Sequence, residues 1–167
     1  MRHVERRILF SASHFRLGPL VACLSSTAVG GGWVITATWR VLIVSAEMNR
    51  EFVRNAMNQW AMEAVSCSSL QEARDLLPDS TFSLIFCEET LPDGTYLDVL
   101  NIQGKALKTR VVVISDMSHV EEKYQQAIDV GAFEMIASPC RASDVQWVVI
   151  RAIQEESRHA GRRARSL

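Results

Sequence analysis

Two adjacent carboxylates, Glu88 and Glu89, close the apolar run in SLIFCEETLPDGTYLDVL (83–100), and a Leu-Pro-Asp-Gly turn follows them. A carboxylate can hold a divalent cation, move a proton or accept a transferred group, and each task needs companions within a few ångströms. The candidates stand after other apolar runs: Ser45, Ala46 and Glu47 after VLIV, Ser115 and Asp116 after VVVI, and Ser138-Pro139 after FEMIA. They meet only if those runs lie side by side and point the same way. In open α/β sheets the crevice outside the carboxyl ends of the strands is where ligands bind, so that arrangement is the one to look for.

The elements that would position these residues alternate from Arg40 onward. RVLIVS (40–45) is a β-branched run suited to a strand covered on both faces. NREFVRNAMNQWAM (49–62) follows, with Phe52, Val53, Ala56, Met57 and Trp60 at helical spacing. EAVSCS (63–68) reads as a second strand, and SLQEARDLL (69–77) as a helix capped by serine, with Glu72 three residues on and Pro78 at its end. A strand at 82–87, a helix near 95–102, the strand RVVVIS (110–115), a helix over 119–130 stopped by Gly131, the strand FEMIA (133–137) and a helix from about Ala142 complete the series. Five strands alternating with five helices predict an α/β fold with a parallel, doubly wound open sheet, because parallel crossovers are right-handed and place helices on both faces.

Composition is that of a globular chain, with 48% hydrophobic and 22% charged residues. The net charge of −1 conceals a pattern: residues 41–150 hold eight Lys/Arg against sixteen Asp/Glu, while residues 1–40 and 151–167 hold five Arg each. An acidic body does not favour nucleic acid, and the arginines of RHAGRRARSL (158–167) read first as a solvated helix end. Cys23, Cys67, Cys87 and Cys140 lack metal-ligand spacing and read as reduced structural thiols of a cytoplasmic protein. Residues 17–39 carry no charge, and LVAC (20–23) has the look of a lipoprotein processing site. Three consecutive glycines and a proline make this a poor membrane span, and His14 and Arg16 lie where a signal peptide should be apolar. The expected division is therefore a poorly ordered or mis-assigned extension at 1–39, a domain at 40–157 and a basic tail at 158–167, with membrane attachment or export through 1–39 as the alternative.

Residues 40–157 resemble the receiver domain of two-component response regulators. The features that agree in order and spacing are VLIV, the Leu-Pro-Asp-Gly turn with Pro92 four residues after Glu88, VVVIS, Ala73 in the second helix, and GAFEMIASP where the family commonly shows Gly-Ala and then Lys-Pro. The resemblance implies a flavodoxin-like sheet of order 2-1-3-4-5. It places the family's acidic pair on Ser45 and Ala46 with Glu47 just beyond, the phosphate-accepting Asp on Glu88, the hydroxyl on Ser115, the Lys on Ser138 before a cis-peptide Pro139, and the switch aromatic on Met135. Only the hydroxyl is retained. Without carboxylates for Mg²⁺ and without an ammonium for the phosphoryl oxygens, and with an acceptor one methylene too long, ordinary phosphoryl transfer is not expected.

The chain is thus expected to be a stand-alone, degenerate receiver, a protein-interaction module without enzymatic activity, metal or other cofactor. A weakly phosphorylatable receiver is the nearer alternative. Glu88 has three readings: a solvated carboxylate, a fixed charge standing where a phosphoryl group would be, or part of a weak cation site with Glu47 and Glu89. Ser115 is expected to reach toward Glu88, whereas strand alternation points Glu89 away. The partner is expected to be a histidine kinase, a downstream effector or a second copy, docking on the face built by the fourth helix, fifth strand and fifth helix. Trp147 and Arg151 are its candidate anchors, since Val145, Val148, Val149, Ala152 and Ile153 form the buried stripe of the last helix.

Overall fold

The computed structural model describes residues 25–29, 32–36, 39–45, 47–60, 62–78, 81–103, 109–116 and 120–164. Ala46, Cys23 and the LVAC stretch lie outside the described residues. Within the amino-terminal extension, β1 (Ser25–Val29) and β2 (Gly32–Thr36) pair antiparallel, with Ser25 opposite Thr36 and Val29 opposite Gly32. No strand was expected there.

From Trp39 the expected alternation sets in: β3 (Trp39–Val44), α1 (Glu47–Met57), β4 (Met62–Cys67), α2 (Leu70–Leu76) and β5 (Leu84–Glu88). A small hairpin, β6 (Thr90–Leu91) with β7 (Gly94–Thr95), forms around the Leu-Pro-Asp-Gly turn, and α3 (Tyr96–Gln103), β8 (Arg110–Ser115), α4 (Val120–Asp129), β9 (Glu134–Ala137) and α5 (Ala142–Ala164) follow. The five longer strands of this region make one parallel sheet in the order β4-β3-β5-β8-β9, the 2-1-3-4-5 order anticipated. Its register brings the strand ends level: Val44 lies between Cys67 and Cys87, Glu88 opposite Ile114, and Ser115 opposite Ala137.

Side chains alternate between two cores. Val41, Ile43, Leu84, Phe86, Val112 and Ile114 pack with α1 and α5, whereas Leu42, Val44, Ile85, Cys87, Val111 and Val113 pack with α2, α3 and α4. Burial on both faces explains why the strands read as unbroken apolar runs. Each fully buried aliphatic or aromatic side chain stabilises the fold by about 1.5–3 kcal/mol, so the central strands make a rigid platform for whatever stands at their ends.

The helix ends follow local chemistry. Ser69 Oγ accepts from the backbone N–H of Glu72 at 3.2 Å, and Glu72 in turn accepts from the N–H of Ser68 at 2.8 Å. At the end of α4, Gly131 adopts a φ of +105°, and the N–H groups of Gly131 and Ala132 donate to Ile128 and Ala127 at 3.0 and 2.9 Å, which satisfies the last carbonyls. Asp93 reaches back from the β6–β7 turn to the start of α2, accepting from the N–H groups of Leu70 at 2.7 Å and Gln71 at 2.9 Å. Gly94 keeps this turn close: a Cβ there would stand 2.6 Å from Leu70 Cδ2.

Four boundaries or faces differ from expectation. The core begins at Trp39, which is buried, one residue before the expected edge of the domain. Helix α1 ends at Met57, five residues early, because a turn at 58–60 redirects the chain into β4. Phe52, assigned to the buried stripe of α1, is 48% exposed, and its place is taken by Asn49, which is buried. Helix α5 continues to Ala164, past the expected boundary at 157–158. Among the described residues no helix is long and apolar enough to cross a membrane.

Candidate functional site

The carboxyl ends of β3, β5, β8 and β9 bring Ser45, Glu88, Ser115 and Ser138-Pro139 to one edge, as the sequence predicts, and the Ser138-Pro139 peptide is cis. Glu88 Oε1 accepts from Ser45 Oγ at 2.9 Å and from Asn49 Nδ2 at 2.8 Å. Asn49 Nδ2 is also 3.0 Å from Ser138 Oγ, so one amide joins the acceptor position to the loop that follows β9. Ser45 is fully buried, and its carbonyl accepts from Arg50 at 3.2 Å. Asn49 was not anticipated. The signal was present, because it stands four residues before Val53 on the buried stripe of α1, where a polar residue must find partners.

The second carboxylate departs from expectation. Glu89 does not turn away: its Oε2 accepts from Ser115 Oγ at 2.5 Å and from Lys123 Nζ at 2.9 Å. Ser115 therefore serves Glu89 rather than Glu88. β5 ends at Glu88, and although the Glu89 N–H still donates to Ile114 O at 2.8 Å, alternation beyond the strand end does not fix where this long side chain reaches. Lys123 also donates to Asp116 Oδ1 at 2.9 Å, and its hydrogen bonds to Asp116 and Glu89 raise its pKa above the ordinary lysine value. Nothing in the sequence singled out Lys123, one basic residue in the otherwise acidic and neutral α4.

Glu47 is exposed in the first turn of α1 and enters neither hydrogen-bond group among the described residues. Met135 is half-buried against the α2, α3 and α4 side. Among the described residues, no three His, Cys, Asp or Glu side chains gather as a metal would need. The polar groups that donate to Glu88 Oε1 are a hydroxyl and an amide NH₂. Cys67, Cys87 and Cys140 are buried free thiols; burial pushes Cys67 up to about 11 and Cys140 up to about 12, and raises Cys87 as well. They are inert at neutral pH, in keeping with structural thiols.

On the other flank, β9 and α5 are joined through Glu134. This carboxylate is 5% exposed and pairs with Arg151 in a short contact; burial foremost, and then the influence of Glu134, raise the Tyr124 pKa. Arg151 lies 5.1 Å from the Phe133 ring centroid and 5.3 Å from that of Trp147. Trp147 and Ile150 are 55% and 46% exposed, whereas Val145, Val148, Val149 and Ala152 are buried, as the helical spacing predicts.

A five-stranded parallel sheet of this order is the flavodoxin-like arrangement, to which receiver domains belong. Residues 41–149 match the response regulator receiver domain, and the chain belongs to that family, which serves two-component signalling. It is 28% identical over 117 residues to the response regulator protein PilR of Pseudomonas aeruginosa, covering 69% of this chain and 26% of PilR. The chain thus aligns with about a quarter of that relative. Among solved structures, the receiver domain of NtrX from Brucella abortus is 26% identical with a TM-score of 0.60, over 68% of this chain and 98% of that one. The beryllofluoride-activated NtrC4 receiver domain dimer shares the fold at 22% identity and a TM-score of 0.63, over 70% and 98% of the two chains.

Proposed function

We propose that this receiver acts as a protein-interaction module in two-component signalling, is not switched by ordinary aspartyl phosphorylation and is not itself an enzyme. The observation that carries this reading is Glu88: Oε1 of the carboxylate at the acceptor position accepts from Ser45 and Asn49, with Ser138 rather than a lysine beside them. Attack on a phosphoryl donor needs a free, aligned oxygen, a cation to neutralise developing charge and an ammonium for the transferred group. The groups seen at Glu88 Oε1 are a hydroxyl and an amide instead. Output then passes through contact with a kinase, an effector or a second copy, and the face of α4, β9 and α5 with Trp147 and Arg151 is the surface best fitted to it, since it combines exposed aromatic and aliphatic side chains with an ordered guanidinium.

Incubating the chain with acetyl phosphate and Mg²⁺ and recording intact mass tests the reading. No adduct is expected. A stoichiometric, acid-labile gain of one phosphoryl group would overturn it.

A further inference from the structure

A hydroxyl and an ammonium converge on one anionic oxygen in this chain, and the oxygen belongs to Glu89. Ser115 Oγ and Lys123 Nζ both donate to Glu89 Oε2, at 2.5 and 2.9 Å. The resemblance to receivers assigns such a pair of donors to a transferred phosphoryl group, with the ammonium supplied from the loop after the last strand. Here that loop carries Ser138, the ammonium comes from α4, and the anion is part of the chain. We propose that Glu89 is a built-in anion that latches Ser115 and α4 in one setting, whatever the chemistry at Glu88.

Three features support the latch. Ser115 is 2% exposed and has a single proton, for which Glu89 Oε2 at 2.5 Å and Asp116 O at 3.1 Å are the acceptors; engaged there, it is not available to Glu88. The Glu89 and Lys123 side chains are 29% and 25% exposed, so water and salt screen their attraction only in part. Lys123 also holds Asp116 at 2.9 Å, so one ammonium ties the end of β5, the segment after β8 and α4 together. The latch does not require Glu88 to stay unphosphorylated, and its test is independent of that reading.

Amide hydrogen exchange on the full chain reads the latch directly. Glu89→Gln and Lys123→Met are each expected to speed exchange in residues 120–129 about tenfold or more while strands β3 and β5 keep their protection, because only the local opening of α4 becomes easier. The double variant should go no further than either single change, and Lys123→Arg, which keeps the charge, should retain most of the protection. Unchanged exchange in α4 for either variant would overturn the proposal. So would acceleration of α4 by the same factor as β3 and β5, since that reports general destabilisation rather than release of a latch. A phosphoryl adduct on the wild-type chain would instead remove the proposed function and leave these outcomes to decide the latch.

Discussion

Replacing Arg151 with methionine removes the cation that neutralises Glu134 while keeping most of the aliphatic stem. Glu134 is 5% exposed, so the substitution leaves a carboxylate in a site where water hardly reaches it. Breaking a fully buried ion pair on one side costs about 3–5 kcal/mol. The Arg151 side chain is 38% exposed, so solvent already weakens the pair, and about 2 kcal/mol is the appropriate share. Loss of the guanidinium from the Phe133 and Trp147 rings adds about 0.5 kcal/mol each. The total of about 3 kcal/mol, divided by a urea dependence of about 1.5 kcal/mol per M, lowers the urea midpoint by about 2 M. Adding Glu134→Gln to the variant should recover at least about 1 kcal/mol relative to the sum of the two single changes, because the stranded charge is gone. Circular dichroism across a urea series measures all four proteins. A fall of less than about 0.3 M for Arg151→Met, or strict additivity with Glu134→Gln, would refute the claim that Glu134 joins β9 and α5 electrostatically.

Trp147→Ala should cost about 1 kcal/mol or less of stability, since the ring is 55% exposed, yet weaken self-association or partner binding by about 2 kcal/mol or more, measured by calorimetry or sedimentation; a loss of about 3–5 kcal/mol would instead mark a core site. Asp93→Asn should lower the melting temperature at neutral pH. The hydrogen bonds from the N–H groups of Leu70 and Gln71 hold the Asp93 carboxyl below its ordinary pKa. A depressed native pKa gives stability that is fully present above the unfolded value of about 4, so the melting difference should shrink only as pH falls below that value and through the native pKa.

The platform was legible because its signals are local and repeated. Val41–Val44, Leu84–Cys87 and Val111–Ile114 are β-branched or apolar without interruption, and Ser69 and Gly131 mark helix ends through chemistry that belongs to one residue. The edge residues followed, since a strand fixes where its last side chain stands. The helix contributions to the site did not follow so readily. Whether Asn49 or Lys123 reaches the edge depends on how α1 and α4 are rotated against the sheet, which long-range packing decides. Glu89 was misjudged because period-two reasoning was carried one residue beyond the strand that enforces it. Phe52 was misjudged for a related reason: apolar side chains at helical spacing define a stripe, but the stripe that turns inward is the one that the sheet can cover, and here it runs through Asn49 and Val53.

Helix α5 spans 23 residues, a rod of roughly 35 Å at the usual rise, with no break where the composition turns basic. Trp147, Ile150, Arg151, Gln154, Glu155 and Arg158 line one shallow surface along it. Arg158 is therefore in fixed angular phase with the aromatic anchor. An unbroken helix joins Arg158 to the turn that seats Trp147 and Arg151, so a partner that grips one of them sets the angle at which it meets the others.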